Sequence, residues 1–216
     1  MPEPTCRILI ADGHEAIRTG IRTFLESRES WQIAAEASNG LDALRLARET
    51  SPDVAILPYS LPRMNGLELT LAIRRELPRT EVLIYTMHHK ARIVDEVLRA
   101  GARGYVLKTD PATELINGVE ALAKGKTYLS VAVCETMLSH GPAHHDGKAN
   151  NHRLTSRERQ VVQLIAEGKL NKQVAHLLDI SVKTVETHRA AVMQKLRCRT
   201  TAELVRYAVR SDMVQP

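Results

Sequence analysis

The sequence predicts a parallel α/β domain followed by an all-α domain, and three observations support this fold class. Over residues 5–128, apolar strand-like runs alternate with helical patterns in five repeats, which is typical of a parallel sheet. From residue 153 onward the apolar residues recur only at helical spacing. Charge changes at the same place, because residues 153–210 carry twelve Lys and Arg against five Asp and Glu, whereas the residues before them sum to −1.

The first domain, residues 5–128, is predicted to contain five strands and five helices around one core. The strands begin near Arg7, Gln32, Val54, Glu81 and Gly104, and the helices near Glu15, Leu41, Leu67, Ala91 and Ala112. The runs 7–11 and 53–57 are largely apolar, as expected of strands covered on both faces. Open sheets of this kind carry function at the carboxyl ends of their strands. Those ends are Asp12 with Gly13, Pro58, Thr86 and Lys108.

Residues 129–152 are predicted to form a helical extension and a flexible linker. The stretch 139–152 is rich in turn-forming residues and nearly free of large apolar side chains. Four of the nine histidines fall in it. A metal site there is one reading, but no rigid element fixes the geometry of these side chains. We therefore expect a solvated linker and no metal.

The second domain, residues 153–212, is predicted to be a four-helix unit. Ser156 is expected to cap a first helix that stops at Gly168. The later helices are expected at about Lys172–Leu178 with Asn171 as cap, after Ser181, and at about Thr201–Arg210. The three-residue connection Asp179-Ile180-Ser181 between two short helices is typical of a helix-turn-helix.

A helix-turn-helix places its second helix in the DNA major groove, with the first residues of that helix on base edges. The candidate DNA-binding residues are Asn171, Lys172, Lys183, Thr184, Glu186, Thr187, His188, Arg189 and Lys195. Arg189 could read guanine and Glu186 could read cytosine, whereas the lysines suit phosphates. The alternatives are a solvated basic surface, a packing role for His188 and a local cap or ion pair for Glu186.

The second domain resembles the LuxR/FixJ type of DNA-binding domain. The resemblance is carried by Leu154-Thr-Ser-Arg-Glu, Glu167-Gly168, Asn171-Lys172, Ala175, Ser181-Val-Lys-Thr-Val-Glu-Thr-His-Arg189 and Lys195-Leu196. It implies binding of double-stranded DNA at two promoter half-sites by a homodimer. It also implies that the fourth helix contributes to pairing.

The first domain resembles a bacterial response-regulator receiver, which has a flavodoxin-like (βα)5 fold. The matching positions are Asp12, Pro62-x-Met64-x-Gly66, Thr86 and Gly101-Ala-x-Gly104-Tyr105-x-x-Lys108. With its C-terminal domain, the whole chain is similar to NarL/FixJ-type response regulators. The resemblance implies that Thr86 and Lys108 contact a phosphoryl group and that Tyr105 relays the change.

The chain departs from the receiver pattern at the position of the phosphoryl acceptor. Pro58 stands where the resemblance implies an acceptor aspartate, and proline offers neither a nucleophile nor a backbone N–H. Gly13 removes a second carboxylate, so Asp12 alone is a poor ligand set for magnesium. Asp53 lies about 16 Å away at the other end of its strand. Ser60 is closer, but no base beside it is visible in the sequence, so we expect no enzyme activity and no cofactor.

Two readings of the remaining site residues, Asp12, Thr86, Lys108 and Tyr105, stay open. Lys108 is expected to pair with Asp12, with Thr86 in local hydrogen bonds, which would make the site structural. The alternative is reuse of the site for a small ligand or anion. The partner surface of the domain also has two readings: Ile17, Ile21, Leu115, Val119 and Leu122, or Arg92, Glu96, Tyr105 and Val106, unless the apolar members are simply core.

We therefore expect a sequence-specific transcription regulator that acts without phosphorylation. Its first domain would serve dimerisation or the input of a partner regulator or sensor. One alternative is an antagonist that pairs with an active regulator. Another is a redox sensor that uses Cys134 and Cys198, since Arg197 and Arg199 flank Cys198.

The expected location is the cytoplasm, without a membrane partner. Cys6, Cys134 and Cys198 show no metal or redox-motif spacing, which suits a reducing compartment. No apolar run approaches the roughly 18 residues of a membrane span.

Overall fold

The computed structural model describes residues 6–140 and 154–214 and divides the chain into two compact units. The first unit precedes the segment 141–153 and the second follows it. In the described residues, no helix is long and apolar enough to cross a membrane.

The first unit is a parallel sheet with helices on both faces, which confirms the predicted α/β class. In chain order its elements are β1 (Cys6–Ala11), α1 (Glu15–Leu25), β2 (Trp31–Ala37), α2 (Gly40–Thr50), β3 (Val54–Leu57), α3 (Gly66–Glu76), β4 (Glu81–Thr86), α4 (Ala91–Arg99), β5 (Gly104–Leu107), α5 (Ala112–Ala123), β6 (Tyr128–Leu129) and α6 (Val131–His140). The strand order is β2-β1-β3-β4-β5-β6, with every pair parallel.

Two apolar layers enclose this sheet because its central strands are apolar on both sides. All four residues of β3 are buried, as a strand between two helix layers requires. Side chains of α1 and α5 pack on one face of the sheet, and those of α2, α3 and α4 pack on the other. The residues Ile21, Leu115, Val119 and Leu122 belong to this core, so the reading of these side chains as an exposed partner surface is wrong.

The end of the first unit differs from the prediction in two details. The two-residue strand β6 pairs with β5, and it was not predicted because so short a run has no periodicity. Ser139 and His140 lie in α6 rather than in a linker, since the helix packs against α4 and β5 and continues to His140. The rest of the predicted linker, 141–152, lies outside the described residues.

Over residues 154–214 the second unit contains four helices around one apolar core, as predicted. They are α7 (Ser156–Ala166), α8 (Asn171–Leu178), α9 (Val182–Leu196) and α10 (Thr201–Arg210). Val161, Leu164, Val174, Val185 and Leu204 are among the side chains that meet in this core.

Two predicted helix caps in the second unit were wrong by one residue. Thr155, not Ser156, caps α7, because its hydroxyl accepts a hydrogen bond from the Glu158 N–H and Glu158 accepts one from the Thr155 N–H. Asn171 is the first residue of α8 and not its cap, which is Leu170. There the Leu170 N–H donates to the Gln173 side chain at 2.9 Å.

Candidate functional site

Asp12 lies at the carboxyl edge of the sheet, directly after β1, and is almost fully buried. Its Oδ2 accepts a hydrogen bond from the Lys108 ammonium, which follows β5. Its Oδ1 accepts a hydrogen bond from the His14 N–H at 2.9 Å and lies 3.3 Å from the ring Nδ1 of His14. The predicted ion pair between Asp12 and Lys108 is therefore confirmed. The buried carboxylate has a cation and a backbone donor as partners.

Pro58 follows β3 at the same edge and is buried. Its carbonyl oxygen would lie 2.1 Å from a Cβ at Gly66, so only glycine fits the start of α3. A Cβ at Gly13 would lie 3.3 Å from the ring of Pro62, a close contact that a shift of a few tenths of an ångström would relieve. Within residues 6–140 and 154–214, no group of three or more His, Cys, Asp or Glu side chains is arranged to hold a metal ion.

His88, between β4 and α4, contacts the loop after β3 and a residue of β5. Its Nε2 shares a hydrogen bond of 2.9 Å with the Ser60 hydroxyl, and its ring meets that of Tyr59 edge-on at 5.3 Å. Its carbonyl accepts a hydrogen bond from the Tyr105 hydroxyl at 2.6 Å. The expectation that Ser60 has no base beside it is therefore wrong. The base comes from a residue 28 positions away, which no local sequence pattern could indicate.

Thr86 and Tyr105 are also buried at this edge. The Thr86 hydroxyl accepts a long hydrogen bond of 3.4 Å from the His88 N–H, and its carbonyl accepts one of 2.8 Å from the Lys108 N–H. Tyr105 has no exposed surface, and this burial raises the pKa of its hydroxyl. Tyr105 and Val106 are core residues, so these two do not form the predicted exposed partner surface.

The helix-turn-helix has the predicted geometry. Asp179 ends α8 in the left-handed conformation, with a φ of 51°. The Ile180 N–H donates to the Ala175 carbonyl at 3.0 Å, which closes the turn. Ser181 then caps α9, because its hydroxyl accepts a hydrogen bond from the Thr184 N–H. The turn therefore fixes the direction in which α9 leaves α8.

The candidate DNA-binding side chains differ in their exposure. Lys172, Lys183, Glu186 and Thr187 are exposed, whereas Asn171, Thr184, His188, Arg189 and Lys195 are partly buried. The exposed residues Lys183, Glu186 and Thr187 all lie in the first two turns of α9.

Two of the partly buried candidates are engaged within the protein. The Arg189 guanidinium donates to the Thr201 hydroxyl at 2.6 Å, which ties α9 to the start of α10. The Lys195 ammonium donates to both carboxylate oxygens of Glu158 at 2.7 Å. Glu158 was not predicted as a site residue, although its place three positions after Thr155 is the signal of a capping box.

Glu158 is a buried carboxylate that braces α9 against α7. Burial raises the pKa of Glu158, but the hydrogen bonds from Lys195 and from the Thr155 N–H lower it more. The net result is a pKa below the ordinary value of 4.5. The ionised form is therefore the one that the folded domain stabilises.

The three cysteines are free thiols in different surroundings. Cys6 is buried in β1, and burial raises its pKa to about 11, with a smaller effect from Asp53. Cys134 and Cys198 are partly buried, and each thiol lies 3.8 Å from a backbone carbonyl. Cys6 is therefore a poor candidate for a reactive thiol.

Comparisons with known proteins agree with the division of the chain into two units. Residues 8–120 match the family model described as response regulator receiver domain, and residues 152–208 match that of bacterial regulatory proteins, luxR family. The chain is 36% identical over 214 residues to the oxygen regulatory protein NreC of Staphylococcus haemolyticus, covering 96% of this chain and 99% of that protein. It is also 36% identical over 208 residues to the transcriptional regulatory protein LiaR of Bacillus subtilis, covering the same shares.

A solved structure is also similar to this chain in its fold. The structure of two RcsB dimers bound to two parallel DNAs is 27% identical in sequence to this chain. It matches with a TM-score of 0.60 over 98% of this chain and 100% of that one. The similarity therefore extends over both units.

Proposed function

The chain belongs to the response regulators that join a receiver domain to a LuxR-family DNA-binding domain, and from this premise we propose that it binds its DNA sites without being phosphorylated. Its relatives are transcription regulators, and the chain is a DNA-binding regulator of the same type. We also propose domain limits of 5–128 for the receiver, 129–152 for the helical extension and linker, and 153–212 for the DNA-binding domain.

The observation that carries the proposal is the chemistry at the ends of β1 and β3. Pro58 follows β3 where the family resemblance implies the acceptor, and its ring nitrogen and carbonyl cannot accept a phosphoryl group as an aspartate does. Asp12 is the sole carboxylate of the Asp12-Gly13 pair, and it is bonded to Lys108. A magnesium ion would have to compete with that ammonium for one carboxylate. Aspartyl phosphorylation needs an acceptor carboxylate and a bound magnesium ion, and in our proposal this site is poorly suited to both.

Ser60 is a nearby hydroxyl that His88 could activate. A serine phosphate formed there would be an ester, without the reactivity of an acyl phosphate. Lys108 remains paired with Asp12 and does not offer the second charge that a phosphoryl group would need. We therefore assign Ser60 and His88 a structural role in joining the loops after β3 and β4.

DNA recognition is assigned to the first two turns of α9. Lys183, Glu186 and Thr187 are exposed there, and Arg189 can leave Thr201 for a base edge because its bond to that hydroxyl is on the surface. Lys172 and Lys183 suit phosphates. We assign Lys195 to the brace with Glu158 and not to phosphate. Since RcsB dimers bind DNA, we propose a homodimer on two half-sites, with the receiver contributing to pairing or to partner input.

Intact-mass measurement tests the phosphorylation part of the proposal. The full chain is incubated with excess acetyl phosphate and magnesium beside the variant Gly13→Asp/Pro58→Asp, which restores two carboxylates. We expect no phosphoryl adduct on the natural chain and one labile phosphoryl adduct, an acyl phosphate, on the variant. A phosphoryl adduct on the natural chain would contradict the proposal, and its position by peptide mapping would identify the acceptor.

A further inference from the structure

The carboxyl end of α8 lies directly before the turn that leads into α9. The last carbonyl groups of an α-helix have no partners inside the helix. Here the Asp179 N–H donates to the His176 carbonyl at 3.4 Å, and the Ile180 N–H donates to the Ala175 carbonyl at 3.0 Å. The carbonyl of Leu178, the final residue of α8, is reached by neither of these two bonds. Leu178 is buried, so its carbonyl requires a donor from another element.

Arg157, near the start of α7, supplies this donor. Its guanidinium donates to the Leu178 carbonyl at 2.5 Å and to Oε1 of Gln160 at 3.0 Å. Burial lowers the pKa of Arg157, and the charge of Asp179 acts in the opposite direction. A guanidinium nevertheless stays charged in a protein, and a cation is favourable at the carboxyl end of a helix. Arg157 therefore caps α8 from a different helix.

Arg157 and Glu158 are neighbours on α7, and they hold opposite ends of α9. Arg157 binds the carbonyl that lies three residues before Ser181, the cap of α9. Glu158 binds Lys195 in the last turn of α9. The helix between these two contacts has 15 residues, a length of about 22 Å. The start of α7 thus anchors both ends of α9, and Arg157 anchors the end that carries the exposed residues assigned to DNA.

The connection between α8 and α9 is short, so this anchor acts on α9 directly. Residues 179–181 separate the two helices. Asp179 has a φ of 51°, a left-handed conformation that costs free energy in a residue other than glycine. Without the bond from Arg157, the end of α8 and Asp179 would be free to shift, and the first turn of α9 would move with them.

We propose that Arg157 is a positioning residue for DNA recognition, which holds the turn so that the first two turns of α9 meet the base edges correctly. The proposal rests on the assignment of recognition to α9 made above. Two other roles for Arg157 make different predictions. A phosphate contact would weaken all DNA sites alike and lower the salt slope if it were removed. A bond that only adds stability would lower the melting temperature and leave site selectivity unchanged.

DNA binding by the full chain distinguishes these roles. Affinities for a selected fragment and for fragments with altered bases are measured by fluorescence anisotropy at several salt concentrations. The temperature is one at which circular dichroism shows each variant to be folded. Arg157→Met should reduce the ratio of these affinities by about 5- to 100-fold, as if one base contact were lost, with an unchanged salt slope. Arg157→Lys should restore part of the ratio, because an ammonium can still donate to the Leu178 carbonyl.

Arg159→Met is the matched control, because Arg159 lies on the same helix and its guanidinium donates to the Leu154 carbonyl at 2.7 Å, away from the turn. This variant should keep the selectivity of the natural chain. Unchanged selectivity in Arg157→Met would overturn the proposal. A uniform loss at all sites with a salt slope lower by about one would also overturn it, since Arg157 would then be a phosphate contact.

Hydrogen exchange of the full chain without DNA, followed by mass spectrometry, tests the same role independently. In Arg157→Met, the amides of Ile180, Thr184 and Val185 should exchange about tenfold faster, whereas those of α10 should change less than about twofold. Equal acceleration in the turn and in α10 would indicate a general loss of stability and overturn the proposal. No acceleration in the turn would overturn it as well.

Arg157→Lys decides the question if Arg157→Met does not fold. We then expect faster exchange in the turn than in α10 and a loss of selectivity, and a variant equal to the natural chain in both would overturn the proposal. The exchange measurement needs no DNA. If the untreated natural chain selected no site, the proposed independence from phosphorylation would fail, while the exchange measurement would still decide the role of Arg157.

Discussion

Asp12 and Lys108 hold the ends of β1 and β5 together through an ion pair that is mostly out of water. Asp12 is 2% exposed and the Lys108 side chain is 14% exposed. A buried pair of this kind adds little over an apolar substitute, but it is costly to break because the remaining charge loses its partner. A phosphoryl group would require the Lys108 cation, and its metal would require the Asp12 carboxylate, but these two groups bind each other.

Lys108→Met should destabilise the receiver by about 3 kcal/mol, since it leaves the Asp12 carboxylate buried without its cation. Urea unfolding of the full chain measures the change. The double variant Asp12→Asn/Lys108→Met should recover most of the loss, because no charge is then left unpaired. A loss for Lys108→Met below about 1 kcal/mol would show that the pair is not structural.

The sequence predicted this pair but not the contacts of His88. Asp12 and Lys108 both follow strands, so a parallel sheet brings them to one edge and their opposite charges indicate the pairing. Ser60 and His88 meet because β3 and β4 are neighbours, and two polar residues in loops carry no pattern that indicates this contact. The cap at Thr155 was missed because two adjacent hydroxyl residues, Thr155 and Ser156, can both cap a helix.

At the scale of elements, the orientation of α9 depends on contacts at both of its ends. Ser181 caps its start, and Lys195 in its last turn binds Glu158 at the start of α7. Glu158 also bonds the backbone of Thr155. One buried carboxylate thus connects the cap of α7 with the end of α9.

The stability of the second unit should fall at acid pH through Glu158. Its pKa in the folded state lies below 4.5, so its contribution is fully present above the unfolded value and is lost as the pH falls through the folded value. Lys195→Met should cost about 2 kcal/mol at neutral pH. It should also reduce this part of the acid dependence, because the hydrogen bond from Lys195 is the largest of the causes that lower the pKa of Glu158.

Denaturant unfolding between pH 7 and pH 3 measures both effects, with far-UV circular dichroism following the helices. Glu158→Gln is the matched variant, because it keeps the size of the side chain and removes the titration. An acid dependence that is the same in Lys195→Met and in the natural chain would contradict the role assigned to this pair.

Substitutions on α9 should distinguish side chains that read bases from side chains that bind phosphates. Arg189→Ala should lose about 1–3 kcal/mol of discrimination between the selected site and altered sites. Lys183→Ala should weaken all sites alike and reduce the salt slope by about one. Thr201→Ala keeps the Arg189 guanidinium and should keep the selectivity. Equal selectivity in Arg189→Ala and the natural chain would remove Arg189 from base reading.

Most elements were predictable because their patterns are local. The first five strands begin within one residue of their predicted positions, and so do all five receiver helices. Apolar runs indicate the strands, and turn-forming residues indicate where the elements end. Strand β6 and the last turn of α6 were not predictable, since they depend on packing against β5 and α4 and not on their own periodicity.

At the scale of the whole molecule, the two units differ in how their basic residues are engaged. The receiver has most of its arginines in ion pairs, whereas the second unit displays exposed basic residues such as Lys183, Arg206 and Arg210 on α9 and α10. In our proposal the receiver does not wait for a phosphoryl group, so the DNA-binding unit is competent as synthesised. Regulation would then come from abundance or from a partner protein.

Selection of genomic fragments by the untreated, full-length, reduced protein tests this claim most directly. The best fragment is then titrated by nuclease protection at several salt concentrations, before and after treatment with acetyl phosphate and magnesium. We predict protection of a defined site, at least about 10³-fold tighter than unselective binding, with no change after treatment. Weak, salt-sensitive and unselective binding that becomes site-specific only after treatment would contradict the account.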